Sequence, residues 1–293
     1  LIRKHAAAAE LVIRCPEDQL YTATEINEFA WEVAALGRGD APSVDAFDRT
    51  YRFPDASHTR RYFAALAAAE REPALADLRA EAEKRDVPVV LDDDAVSLGA
   101  GHASICFPLS CVPRAAAVEW SALRRIPIAL VTGSNGKTTT ARLIAAMLDS
   151  ANEQFAGRVG LCGTGGVVIG GEQVEQGDYS GPAGARTVLR HPRVAAAVLE
   201  TARGGILRRG LAVERADVAV VTNISADHFG EYGIDTLDDI AEAKLTVARP
   251  LGNAGILVIN ADDPVLMRQA AGLTCKRALF SIQPEPAILR QPD

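Results

Sequence analysis

No apolar run in the chain approaches the roughly 18 residues that a membrane-spanning helix requires, so a membrane role is not expected. No C-x-x-C pair occurs either. The cysteines are odd in number, five in 293 residues (Cys15, Cys106, Cys111, Cys162 and Cys275). That count and spacing fit neither a disulfide framework nor a zinc site, and read as reduced structural thiols in a cytoplasmic protein. Positive charge is not in excess. Lys and Arg number 31 against 38 Asp and Glu, a formal net charge of −7. A nucleic-acid or anionic-membrane surface would want clustered Lys and Arg, and that balance argues against both. It does not argue against a nucleotide, because a local nest of backbone N–H groups outweighs a global field. Low-complexity tracts are absent, and so is an initiating Met. The chain is therefore expected to be a fragment.

What is present is the composition of a globular protein, 48% hydrophobic and 24% charged, in a length that suits two domains. Residues 1–120 are expected to form an α/β region of unassigned role. In it, Thr24 is the expected N-cap of a helix ending at Leu36 before Gly37, and 57–85 is helical with a break at Pro73. Residues 87–91 and 104–108 are short strand candidates. Between them lies Asp92-Asp93-Asp94, read as a solvated turn in preference to a metal site. Pro113 to Ser121 reads as a linker.

From Ile126 the pattern changes. Short continuous apolar runs, the mark of strands buried on both faces, occur at 126–132, 194–200, 217–223 and 255–260. Helical stretches at 137–150 and 236–248 lie among them, and Val167 to Val174 reads as a hairpin with a Gly170-Gly171 turn. This alternation predicts an α/β fold, a parallel doubly wound sheet with a P-loop spanning 121–293. Polar residues follow every one of the four runs: the loop from Gly133, Glu200, Asn223 with Asp227-His228, and Asn260 with Asp262. In open parallel sheets ligands bind outside the carboxyl ends of the strands, so these residues are expected to share one site.

Thr132-Gly-Ser-Asn-Gly-Lys-Thr-Thr139 reads as a phosphate-binding loop between strand and helix. Gly133 and Gly136 let backbone N–H groups approach phosphate oxygens, and Asn135 between them is counted with the nucleotide-binding residues. Lys137 is expected on the β- and γ-phosphates and the Thr138 hydroxyl on Mg²⁺, with Thr139 continuing the helix N-terminus. Val131 stands where the strict pattern has its first glycine. Glu200 closes a buried strand, where a carboxylate demands a cation or hydrogen bonds, and a magnesium ion beside a triphosphate is the natural partner. An N-cap or a pairing with Arg203 is the alternative. His228 beside Asp227 is a possible metal-binding imidazole held by a carboxylate. Lys244 has no role on spacing alone.

The order of these pieces resembles the central, ATP-binding domain of the Mur ligase family, and most closely the Mur-like part of cyanophycin synthetases. The matching stretches are Val131 to Thr140, Gly177-Asp-Tyr-Ser-Gly-Pro182, Leu199-Glu-Thr-Ala-Arg-Gly-Gly205, Thr222-Asn-Ile-Ser-Ala-Asp-His228 and Ile259-Asn-Ala-Asp-Asp-Pro264. The resemblance implies ATP and Mg²⁺ as cofactors, with Lys137 on phosphate, Thr138 and Glu200 on one Mg²⁺, and His228 on a second. It places Lys244 where many Mur ligases carry a carbamylated lysine, Asn260 and Asp262 near the adenosine, and Gly177 to Pro182 near the substrate carboxylate. The implied activity is an ATP-dependent carboxylate–amine ligase acting through an acyl phosphate. Its substrates would be small amino acids or peptides, with neither nucleic acid nor membrane as partner and no readable oligomeric state. Another P-loop ATPase or phosphotransferase, a folylpolyglutamate-synthase-like ligase and a non-catalytic nucleotide-binding module are the alternatives. No ATP-grasp signature is found in 1–120, and the further α/β domain that ends Mur ligases is expected to be missing, since too few residues follow 270.

Overall fold

A computed structural model describes residues 2–4, 9–11, 15–36, 56–226, 229–230 and 234–283. The chain divides into two compact units, Leu1–Arg79 and Ala80–Asp293. The sequence change that suggested a boundary at 120/121 thus falls inside the second unit.

In the first unit, β1 (Ile2–Lys4) and β2 (Ala9–Leu11) pair antiparallel. Helix α1 (Leu20–Leu36) and α2 (Ala56–Glu70) meet through Phe29 and Phe63, ring centroids 5.5 Å apart. Helix α1 begins at Leu20, not at Thr24, whose hydroxyl donates to the Leu20 carbonyl one turn back. The cap comes from elsewhere: the Glu70 carboxylate accepts from Tyr21 N at 2.6 Å and Thr22 N at 2.7 Å. A carboxylate at a helix N-terminus satisfies orphan N–H groups and suits the dipole, so the local Thr was not needed. As expected, Pro73 opens a new helix, α3 (Pro73–Lys84), where its missing N–H is harmless.

The second unit starts with a small antiparallel sheet, β3 (Val89–Leu91), β4 (Ala95–Leu98) and β5 (Ile105–Pro108). The acidic turn joins β3 to β4. Asp92 accepts from the N–H groups of Asp94 and Ala95 and pairs with Arg190, while Asp93 and Asp94 are exposed. The turn is structural, as expected, but Asp92 is not a merely solvated member of it.

The main sheet follows: β6 (Ile128–Thr132), α4 (Lys137–Ala151), β7 (Val159–Gly163), β8 (Gly166–Ile169), β9 (Glu172–Glu175), α5 (Pro182–Arg190), β10 (Ala196–Glu200), α6 (Arg203–Arg209), β11 (Val218–Val221), α7 (Leu237–Leu245), β12 (Ile256–Asn260), α8 (Pro264–Ala270) and β13 (Lys276–Phe280). Its order is β13-β12-β11-β6-β10-β7-β8-β9, with six parallel strands and the β8–β9 hairpin antiparallel at one edge. All five residues of β6 and of β10 are buried, which is why both read as unbroken apolar runs. The hairpin turns on Gly170 and Gly171, both at positive φ.

Both faces of the sheet carry core. On one, Ala141, Ile144, Ala145 and Leu148 of α4 pack on Val131, Val159, Val198 and Val220. On the other, Leu130, Leu199, Val221 and Ile259 pack under α5, α8 and the segment around Val247. The crossover from β6 to β7 runs one way along the sheet, and the four later parallel crossovers run the other way. With the near-universal right-handed crossover, that puts the described helices of the later crossovers on one face and α4 on the other. Beyond α4, the β11–β13 side of that face is a shallow apolar hollow of about 490 Å³ lined by Val218, Val258 and Phe280. Strand β6 is the point from which the chain departs in both directions, and its carboxyl end is where a crevice forms.

Candidate functional site

Strand β6 ends in Thr132, and the loop Gly133–Gly136 leads into α4. Gly133 adopts φ 145° and Gly136 φ 79°, conformations that residues with a Cβ rarely adopt. At Gly133 space is closed as well: an added Cβ would lie 1.8 Å from Thr222 Oγ1. Gly136 is the helix N-cap and offers no side chain, so the first N–H groups of α4 have neither an intrahelical acceptor nor a cap. Such a helix start is an anion site.

Three further side chains converge on it. Lys137 Nζ donates to the Ser134 carbonyl at 3.1 Å, curled over its own loop. Glu200, 2% exposed at the end of β10, accepts from Thr138 Oγ1 at 3.1 Å. Lys244, 3% exposed on α7, donates from Nζ to the Gly133 carbonyl at 2.9 Å. Lys137, Thr138, Glu200 and Lys244 thus come together from three distant stretches. The buried Lys244 had no assignment from spacing, because its partner lies 111 residues away. Arg203 lines the neighbouring cleft, and the alternative of a pairing with Glu200 gives way to the two threonines described next.

Thr164, just after β7, went unnoticed in the sequence. Its N–H donates to Glu200 Oε2 at 3.3 Å and its hydroxyl lies 3.0 Å from Thr138 Oγ1. Glu200 is also the reason for Gly163, where a Cβ would meet Glu200 Oε2 at 2.3 Å. Under the carboxylate, Cys162 is fully buried; burial, with the Glu200 charge second, pushes its thiol pKa up to about 12. It is inert packing, as expected of a free cysteine.

The tip of β11 closes the loop's other side. Thr222 Oγ1 donates to the Asn135 carbonyl at 2.6 Å, and Asn223 Nδ2 donates to the same oxygen at 3.1 Å. Asn223 Oδ1 accepts from Asn135 N at 3.0 Å, and Ser134 N donates to the Asn223 carbonyl at 2.9 Å. Ser225 N donates to Ser134 Oγ at 3.0 Å. Asp227 and His228, which follow in the chain, lie outside the described residues.

Asn260 and Asp262 are at the carboxyl end of β12, on the same sheet edge, but their side chains serve the local turn. Asn260 Oδ1 accepts from Asp262 N at 2.9 Å, and Asp262 accepts from Ser281 Oγ at 2.6 Å and Ile282 N at 2.8 Å. Those bonds, the serine's first, hold the Asp262 carboxyl below the usual carboxylate range. Asp263 anchors α8 and reaches Ile224 N at 2.6 Å.

Beside the loop opens a cleft of about 540 Å³ whose walls carry Lys137, Lys244, Arg203, Arg208 and Arg209, with Asp178 the acidic member among the described residues. Asp178 is engaged by Ser180 N and Oγ. The stretch Asp178 to Gly184 forms one wall, where an added Cβ on Gly184 would lie 2.1 Å from the Tyr179 carbonyl. A cleft lined by fixed cations and helix starts suits a ligand with several negative charges.

A metal fit can be tested on the donors. Magnesium binds oxygen at about 2.0–2.1 Å in near-ideal octahedra, so adjacent ligand oxygens lie about 2.9 Å apart. Thr138 Oγ1 and Glu200 Oε1, at 3.1 Å, match that edge. Among the described residues no cluster of three His, Cys, Asp or Glu exists.

Comparison with known proteins bears on the same region. The family model of the Mur ligase middle domain matches residues 131–291. Cyanophycin synthetase of Synechocystis sp. is 45% identical over 166 residues, 57% of this chain and 19% of that protein. A UDP-N-acetylmuramoyl-L-alanyl-D-glutamate–2,6-diaminopimelate ligase of Chlamydia caviae is 32% identical over 144 residues, 47% of this chain and 28% of that one. A solved structure of a ligase of the latter name is 25% identical, with a TM-score of 0.44, covering 57% of this chain and 34% of the other. The chain thus matches about a fifth of the length of the cyanophycin synthetase.

Proposed function

We propose, for a chain that belongs to the Mur ligase family through its middle domain, that it forms amide bonds between a carboxylate and an amine at the expense of ATP, releasing ADP and phosphate. The observation that carries this reading is the oxygen pair Thr138–Glu200 set against the uncapped start of α4. One buried carboxylate, one hydroxyl and a ring of free N–H groups make a place for a metal-bound polyphosphate and for little else.

Magnesium, bound by Thr138 and Glu200, would neutralise phosphate charge and hold the phosphoryl group in line. The remaining work falls to the chain. The N–H groups at the start of α4 orient the phosphates. Lys137 leaves the Ser134 carbonyl to offset the charge that gathers on the transferring phosphoryl group. A substrate carboxylate oxygen bonds to the γ-phosphorus as the bond to ADP breaks. The amine nitrogen then bonds to the acyl carbon, phosphate leaves with the acyl C–O electron pair, and the ammonium proton passes to solvent. The cationic cleft keeps the acid close to the loop, which converts an encounter into a positioned reaction. His228 as ligand of a second Mg²⁺, carbamylation of Lys244, and Asn260 with Asp262 near adenosine belong to the same proposal and rest on motif position. So do cytoplasmic location and small amino-acid or peptide substrates. Among the described residues no helix is long and apolar enough to cross a membrane.

Replacement Lys137→Ala is expected to abolish amine-dependent ADP release while leaving the circular dichroism and the melting transition intact. Near-normal release by that variant would falsify the assignment. Amine dependence also separates a ligase from a phosphotransferase, which would leave phosphate on its product.

A further inference from the structure

We infer that Thr222 and Asn223, at the tip of β11, are positioning residues that fix the phosphate-binding loop in its receptive shape. The inference rests on residues 131–140 being the phosphate site. It concerns how that loop is held, which no motif states.

A phosphate-binding loop needs its N–H groups sorted: some must point at the ligand, the others must be satisfied elsewhere. Here the sorting is visible. The N–H groups of Ser134 and Asn135 both go to Asn223, one to its carbonyl and one to its side-chain oxygen. The Asn135 carbonyl takes two donors, Thr222 Oγ1 at 2.6 Å and Asn223 Nδ2 at 3.1 Å. The Asn223 side chain therefore pairs with both the N–H and the C=O of Asn135, as a neighbouring strand would. This turns the Asn135 peptide away from the ligand and leaves the start of α4 as the free donor set. Thr222 adds a steric key, because its hydroxyl occupies the volume a Cβ on Gly133 would need. Loop and strand tip are complementary at two consecutive residues, and Ser134 with Ser225 extends the contact by a third. Thr222 is buried and Asn223 half-buried, while Asn135 is exposed, so the lock anchors an open loop to the sheet. Preorganised donors bind without a reorganisation penalty at the moment of ligation, so loss of the lock should appear in phosphate affinity.

Three full-length variants test this by calorimetric titration with ADP and with tripolyphosphate, which carries only the phosphate chain. Asn223→Asp keeps size but removes a donor and sets a negative charge against the Asn135 carbonyl. Thr222→Val keeps shape without the hydroxyl. Both are expected to weaken ADP and tripolyphosphate by about the same tenfold factor, the scale of one hydrogen bond. Thr222→Ser, which retains the hydroxyl, is expected to restore binding. Unchanged affinities in a folded Asn223→Asp protein would overturn the inference, as would a fall in melting temperature with no change in affinity. Should Thr222→Val fail to fold, Asn223→Asp and the recovery by Ser decide the matter. Lys137→Ala, run alongside, keeps the failures apart. If it abolishes tripolyphosphate binding while the lock variants do not, the phosphate site stands and the lock falls.

Discussion

Glu200 sits in the tightest space of the site. A carboxylate 2% exposed must have partners, and it has three chain groups around it: the Thr138 hydroxyl, the Thr164 N–H and, where a side chain would otherwise be, Gly163. Gly163→Ala is therefore expected to displace the carboxylate instead of unfolding the strand, since the clash is with a side-chain end. The variant should melt near the parent temperature and need about tenfold more Mg²⁺ for half-maximal ADP release, a loss of the order of one charged hydrogen bond. An unaltered Mg²⁺ requirement would separate Glu200 from the metal. Some of these residues could be read from sequence and some could not, for one physical reason. Lys137, Thr138 and Glu200 stand next to features with their own local signature, a glycine loop and the end of an apolar run. Thr164 and Lys244 act through contacts spanning 26, 36 and 111 residues, so spacing marks neither, and Lys244 is reached only through the family resemblance.

Arg190, the last residue of α5, ties that helix to the small sheet. It donates to Ser97 Oγ and to the carbonyls of Val90 and Ala95, and it pairs with Asp92. Burial alone would raise the Asp92 pKa, but the Arg190 bond and two turn N–H groups outweigh it and hold the carboxyl below its ordinary value. A depressed folded pKa contributes stability that is present above the unfolded value, about 3.9, and is lost as pH falls through the lower folded one. Asp92→Asn should accordingly remove part of the acid sensitivity of melting below pH 4 while lowering stability at neutral pH. Arg190→Ala should lose about 2 kcal/mol, or roughly 4–8 °C in Tm, by removing the cation paired with Asp92 and the bonds that tie α5 to the small sheet. Calorimetric scans between pH 3 and 7 check both. Legibility varies among elements for equally plain reasons. Four strands announced themselves as apolar runs, β6 and β10 because both their faces are covered. Strand β7 did not, since two of its five residues are glycine, and β13 did not, since all five of its residues are exposed. Strand β4 was hidden behind its acidic turn. The start of α1 was misplaced because its cap arrives from α2, about fifty residues away.

At the scale of the whole molecule, the sheet's protection is graded from centre to edge. Strands β6 and β10 are buried throughout, whereas every residue of β9 and β13 is exposed. Amide exchange followed by mass spectrometry should be slowest in β6, β10 and β11 and fastest in β9 and β13, the order expected when opening starts at exposed edges. A protected β13 would mean that something covers the apolar hollow beyond α4. The central place of β6 has another outcome. Its two neighbours each supply half of the apparatus around the loop: β10 brings Glu200, opposite Val131, and β11 leads into Thr222 and Asn223 after Val221, opposite Thr132. Side chains alternate along a strand, so sliding β10 by a single residue would point Leu199 at the threonines and turn Glu200 to the opposite face, into the apolar layer under α5 and α8. Strand alignment here is chemistry as much as architecture, and a mispaired sheet would be a folded protein without a site.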